Sequence, residues 1–315
     1  MERLHYIDNL KMTAIVCVVI GHICAITHTN WMIDIIYSFH MALFFAISSY
    51  TVALLKKSII LTQKAKQLII PYISICIIAI IAKGFSKESI LGYLFSETRW
   101  GYWFLPTLFL LFILMKIFLF LLNTNYSTYS KYFLFLYILL IEGILISLKL
   151  YLPPYLIELL CIRHLVTYWP FFIFGYFYNN LLLLHSKNAT IIAILLWFLI
   201  LIMAIEYNIS NEATRTIGRF AAITCLLNIY KSILNITIPY LTNIGKKTLS
   251  IYLFHYFFLP SVTIFFSNQY NKPFLSLGIG LLIVGICCFI HDQIIQKITF
   301  LQFIFTGKNN KYKTK

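Results

Sequence analysis

The chain has 315 residues, of which 61% are hydrophobic and 11% charged, with a formal net charge of +15. A soluble domain of this size needs far more charge to cover its surface, so the solvent here is mostly lipid. The basic excess does not read as a nucleic-acid face, because the lysines sit in short loops and a tail.

Ten apolar runs are long enough to span a bilayer as helices, at about 10–28, 31–55, 67–83, 102–122, 132–148, 164–182, 189–206, 216–233, 249–266 and 273–290. Barrel strands would be shorter and would alternate with period two. The expected fold is therefore an all-α membrane protein, a polytopic bundle of about ten transmembrane helices. It reads as one domain over 1–315, with a short basic tail at 306–315, and composition shifts nowhere along it. The start, "MERLHYIDNLK", is followed by an apolar run without a small-residue cleavage site, so the first helix is expected to stay. "SILGYLFS" (89–96) is too short to span and reads as re-entrant or interfacial, and 294–305 reads as a surface segment. The seven cysteines lie mostly inside apolar runs without metal-like spacing and read as small core residues, with no disulfide expected.

Ten spans put both termini on one side. With the N-terminus inside, 16 of the 25 Lys and Arg fall on inner segments and 8 on outer ones, with Lys116 inside a span. The positive-inside rule then places both termini in the cytoplasm.

The first span carries two costly residues, Lys11 and His22. Eleven helical residues turn about 1100°, some 20° beyond three full turns. Lys11 and His22 therefore share a face, about 16 Å apart along the axis. A cation stands at the cytoplasmic mouth and a titratable imidazole at depth, and an ionisable group inside a membrane is a functional hypothesis by default. The next span places His40 at similar depth on an antiparallel neighbour. Two facing histidines suit proton transfer or substrate binding, or simply bond each other. Glu142, inside the fifth span, must be neutral or paired and is a candidate to orient a histidine or bind a sugar hydroxyl. His255 reads as a packing brace, and His5, His28, His185 and His291 as solvated residues at helix ends. Arg163 and His164 begin the sixth span from outside. Trp100, Tyr102 and Trp103 fit an interface belt, although aromatics also stack on sugars.

"YIDNLKMTAIVCVVIGH" resembles the signature of the acyltransferase 3 family, integral-membrane O-acyltransferases of cell-surface glycans. The family's acidic residue, its basic residue and a histidine after ten further positions match Asp8, Lys11 and His22. "FHMALFFAISSY", "LIIPY" (68–72), "YWFLPTLF" (102–109), "YWPFFIFGY" (168–176) and "IGKKTLSIYLFH" (244–255) resemble later family segments in the expected order. The resemblance covers residues 4 to about 256 and points to the compact form without an extracellular esterase-like domain. Three departures stand out. Lys11 replaces the commoner arginine, Ser49 stands where glycine is frequent, and lysines replace paired arginines near "QKAKQLIIPY".

The resemblance implies transfer of an acyl group, usually acetyl from acetyl-CoA, to a hydroxyl of a glycan or lipid-linked sugar in the bacterial inner membrane, with no metal. A CoA thioester would bring its phosphates to Lys11, with Asp8 beside it and Lys64 and Lys66 on the inner loop. Its extended arm reaches about as far as His22, which would act as general base with His40 and Glu142 as the other catalytic candidates. A covalent acyl-histidine is a variant. Cysteine nucleophiles fit poorly, since Cys17 and Cys24 lie about 140° and 160° around the helix from His22. The alternative reading is a transporter or flippase of a lipid-linked sugar or acyl carrier. It predicts interrupted helices at corresponding positions of two halves, and the sequence displays no such symmetry.

Overall fold

A computed structural model describes residues 5–56, 58–123, 130–207, 211–232, 238–266 and 272–308. Arg3, Lys57 and the basic tail beyond Lys308 lie outside the described residues. The described residues are helical, with no strand among them. In chain order the helices are α1 (His5–Ile26), α2 (Asn30–Tyr37), α3 (His40–Leu54), α4 (Leu61–Ala82), α5 (Lys87–Phe95), α6 (Phe104–Asn123), α7 (Ser130–Tyr151) and α8 (Pro154–Leu159). There follow α9 (Ile162–Phe177), α10 (Lys187–Ile205), α11 (Glu212–Ser232), α12 (Pro239–Lys246), α13 (Thr248–Phe254), α14 (Leu259–Phe266), α15 (Pro273–Ile290) and α16 (Thr299–Thr306).

Each apolar run has a helical counterpart. Among the described residues six helices are long and apolar enough to cross a bilayer, or seven if the bent pair around α13 and α14 is one span. Two of the helices outside this count are distinctive. α9 has only 16 residues. α11 carries Arg215, Arg219, Asn228 and Lys231 along its length. The expected span 31–55 is interrupted locally between α2 and α3 yet still counts as one crossing, whereas 249–266 bends by 48° between α13 and α14.

Two compact units emerge. The first takes its residues from Met1–Leu55 and Phe174–Lys297, the second from Lys56–Ile173 and Ile298–Lys315. In the first unit α1 is the hub, touching α2, α3, α11, α12, α13, α14 and α15. Two glycines allow backbones to meet. A Cβ on Gly245 would lie 1.9 Å from the Asp8 carbonyl oxygen, so α12 lies directly on α1. A Cβ on Gly175 would lie 2.1 Å from the Ala46 carbonyl oxygen and 2.6 Å from Ser49 Oγ. Ser49, which replaces the family's glycine, bonds back to Ala46 O at 3.0 Å. The space that a glycine would have left on α3 is thus supplied from the facing chain by Gly175.

In the second unit α4 packs on α6 and α16. α16, which reads from sequence as a surface segment, ends at Gly307 in the left-handed conformation (φ 64°), against the Lys66 carbonyl. α5 is capped by Ser86 Oγ, which accepts from Ser89 N–H at 3.1 Å. After it, Arg99, Trp100 and Gly101 all take positive φ. Such a run is costly for the two non-glycine residues. It is held by the Arg99 guanidinium, which is 4% exposed. Arg99 donates to Tyr72 Oη at 3.0 Å and to the carbonyls of Glu158 and Leu159 at 2.7 and 2.8 Å. One planar fork thereby joins α4, the turn and the end of α8. Lys83 Nζ sits 3.2 Å above the Trp100 ring, over which Gly92 passes closely.

Two expectations follow for stability. Gly175→Ala should push α9 off α3 and lower the melting temperature of the detergent-purified protein, at a cost of ~1–3 kcal/mol. Gly285→Ala on α15, where nothing lies within 4 Å, should leave stability unchanged or raise it by up to ~1 kcal/mol. Arg99→Lys keeps the charge but cannot fork to three acceptors. It should cost roughly 1.5–3 kcal/mol per lost charged hydrogen bond, with faster proteolysis between residues 87 and 101.

Candidate active site

The first unit gathers three histidines and two tyrosines. His22 lies half-buried on the penultimate turn of α1. His40 is the first residue of α3, just past the break from α2. The break is local. Phe39 leaves helical geometry at φ −145°, ψ −32°. Ser38 Oγ bonds back to Ile35 O at 2.7 Å and accepts from Trp197 Nε1 at 3.0 Å. The α2 segment is fixed on α1 by a small core of Ile20, Cys24, Met32 and Ile36. His255 sits at the other break, in the short turn after α13. Pro260 causes that break, because it lacks an N–H and its ring clashes with the carbonyl four residues back.

Both breaks use the histidine in the same way. His40 Nδ1 bonds to Ile36 O at 2.7 Å and His255 Nδ1 to Ile251 O at 3.0 Å. A carbonyl only accepts, so Nδ1 carries the proton in each ring and Nε2 carries the lone pair. His22 is held differently: its Nε2 pairs with the Tyr256 hydroxyl at 2.9 Å. The ring centroids of His22 and His255 are 5.4 Å apart, those of His22 and Tyr256 5.0 Å, and those of His255 and Tyr256 4.2 Å. Tyr37 lies 4.9 Å from His40, ring to ring, and a Cβ on Gly21 would touch it at 3.4 Å. His22 is within electrostatic reach of both His40 and His255, and Arg219 is within reach of His40. Arg219, 15% exposed, bonds to the exposed Glu212 at 2.7 Å.

The other sequence candidates fall as follows. Lys11 is half-buried and Asp8 buried at the opposite end of α1. Tyr6 bonds to Tyr50 at 2.9 Å there, Thr13 bonds to Tyr230, and Lys247 pairs with Asp292 at 2.5 Å. His291, read from sequence as solvated, is buried and bonded to Ser250 at 2.7 Å and Gln296 at 2.9 Å. Lys64, Lys66 and Glu142 belong to the second unit. Two positions on a helix turn about 200°, so Lys64 and Lys66 do not share a face. Lys64 lies 3.9 Å over the Phe112 ring, whereas Lys66 is exposed. Glu142 buries Oε2 without a hydrogen-bond partner on α7.

Also in the second unit, His164 stacks on Trp103 at 4.1 Å, with Tyr168 beyond it, and bonds to Glu97 O at 2.9 Å. Trp103, His164 and Tyr168 form one stack. Beside it, the Glu158 carboxylate accepts from Arg163 at 2.7 Å, and this bond holds the guanidinium above its usual range.

Sequence reasoning missed Tyr37, Tyr256 and Arg219, and read His255 as a brace although it matches a histidine common in the family. The available signal was Pro260, five residues after His255, which marks a break inside an apolar run. No curated protein and no solved structure matches the chain. A family model described as an acyltransferase domain matches residues 4–292, nearly the whole chain. This multi-pass, all-helical protein therefore belongs to the acyltransferase 3 family.

Proposed function

We infer that the protein is an O-acetyltransferase that moves the acetyl group of acetyl-CoA to a hydroxyl of a cell-surface glycan. It does so in the bacterial inner membrane, with both termini in the cytoplasm. The observation that carries this reading is the 2.9 Å pair between Tyr256 Oη and His22 Nε2. A hydroxyl oxygen stands at bonding distance from an imidazole nitrogen, which this reading takes as the lone-pair nitrogen, in the place that an acceptor hydroxyl would take.

The chemistry follows from that placement. The acceptor hydroxyl displaces the Tyr256 hydroxyl and gives its proton to His22 Nε2 as its oxygen attacks the thioester carbonyl carbon. The tetrahedral intermediate collapses with loss of the carbon–sulfur bond, and the imidazolium returns the proton to the leaving thiolate. Arg219 and the ring of polar groups make the site tolerant of the charge that develops. Lys11, about 16 Å along α1, is suited to the donor's phosphate end.

The second reading, a carrier of a lipid-linked sugar, draws on the two broken helices. Interrupted spans do line transport sites. Both breaks, however, belong to the first unit rather than one to each of two repeated halves.

The direct test is mass spectrometry of surface glycans from cells with and without the protein. An O-linked acetyl increment is expected only with it, and its absence would remove the transferase reading. His22→Gln keeps a hydrogen-bonding side chain but cannot take a proton. It should lower transfer by ~10²–10⁴-fold while the protein still inserts and purifies, and near-parental turnover would take His22 out of the base role. Lys11→Ala should weaken binding of radiolabelled acetyl-CoA in detergent, whereas Lys11→Arg should preserve it. Equal binding by all three proteins would remove Lys11 from the donor site.

A further inference from the structure

We propose that His255 is a specificity-determining residue, whose Nε2 accepts a hydrogen bond from a second hydroxyl of the acceptor, next to the hydroxyl that reacts at His22. The proposal rests on acyl transfer at His22.

The argument begins with a missing partner. His255 is fully buried, at 0% exposure. Its Nδ1 is committed to Ile251 O at 3.0 Å, so Nε2 can only accept. Among the described residues, no protein donor meets that atom. Leaving a buried acceptor unsatisfied is costly, and such exceptions in folded proteins call for a specific reason. Bracing the helix break is not that reason, because Nδ1 alone does the bracing.

The neighbourhood supplies one. The His255 ring packs on His22 at 5.4 Å and on Tyr256 at 4.2 Å. The Tyr256 hydroxyl is engaged with His22 Nε2. With His22 in the tautomer that its base role requires, two imidazole acceptors stand side by side at the end of α1. A ligand with one hydroxyl satisfies His22 and leaves His255 unpaired. A ligand with hydroxyls on neighbouring carbons satisfies both. A site built to bond a substrate hydroxyl discriminates strongly against the analogue that lacks it, by up to ~10⁴-fold or more, because its own buried group is then orphaned.

His255→Asn separates the two roles. Its side-chain amide can keep a donor where Nδ1 stood, but nothing replaces Nε2. With acetyl-CoA as donor, kcat/KM is compared for glycerol, which has neighbouring hydroxyls, and 2-propanol, which has one. The parent should favour glycerol by at least ~10-fold, as expected when a buried acceptor is left unsatisfied with the other alcohol. In His255→Asn the ratio should fall towards one, mainly through loss of the glycerol reaction. A residue that only braces the fold would lower both reactions and leave the ratio intact, and that result overturns the proposal. So does a parent that treats the two alcohols alike.

Mapping the acetyl position on the cell's own glycan by NMR provides a second arm that needs no variant to fold. The acetylated hydroxyl should have a free hydroxyl on an adjacent carbon, and one flanked only by substituted or deoxy carbons overturns the proposal. If neither alcohol reacts, the glycan map decides. If the glycan also carries no acetyl increment, it is the transferase reading that fails.

Discussion

The candidate site depends on where two apolar helices stop. In lipid, a helix that breaks must still satisfy its backbone from within the protein. At both breaks a histidine turns its ring back onto the last turn and donates Nδ1–H to a carbonyl, to Ile36 from His40 and to Ile251 from His255. That single bond does two things. It satisfies backbone in a region without water, and it commits the tautomer, so that each ring offers Nε2 as an acceptor. His22 has no break beside it, and a tyrosine hydroxyl from the second break holds it instead.

Much of this was legible in the sequence, for reasons that can be named. Apolar runs of about 20 residues report helices in lipid directly, and each of the ten has its helix. The Lys11–His22 spacing needs only the helical repeat, and α1 runs unbroken through both residues. Breaks were less legible. Pro260 announces one of them. The other, at Ser38 and Phe39, has neither proline nor glycine, and Trp197 reaches Ser38 there from α10, a contact that no local pattern encodes. Tyr256 was passed over because a tyrosine in an aromatic-rich span, "YLFHYFF", reads as packing until its hydroxyl is seen against His22.

Charge counting met a similar limit. Arg99 and Lys83 enter the positive-inside tally as loop charges, yet both are built into the fold. Arg99 is buried with three acceptors around it, and Lys83 rests on Trp100. A cation that organises a turn says less about topology than one left in solvent. Ser49 is the converse case. By sequence it departs from a small-residue motif and threatens a close helix contact. The contact survives because closeness is a property of the pair of surfaces, and Gly175 provides the room from the other side.

The unbroken helix and the broken ones have separate mechanical roles. α1 is buried along most of its length and packs on seven other helices, so the separation of Lys11 and His22 is fixed by a helix with little freedom to bend. The broken segments contribute what a straight helix cannot, namely side chains aimed by a change of chain direction. A straight span could place an imidazole at the depth of His22, but at most two or three residues of one helix face the same point. Bringing His40, His255, Tyr37 and Tyr256 around His22 requires neighbouring chains to turn within the membrane. Each turn exposes backbone that must be repaid with a hydrogen bond, and the histidines that repay it are the residues the site displays. Backbone satisfaction at His40 and His255 therefore rests on Nδ1 alone and leaves Nε2 of each ring outside that bond.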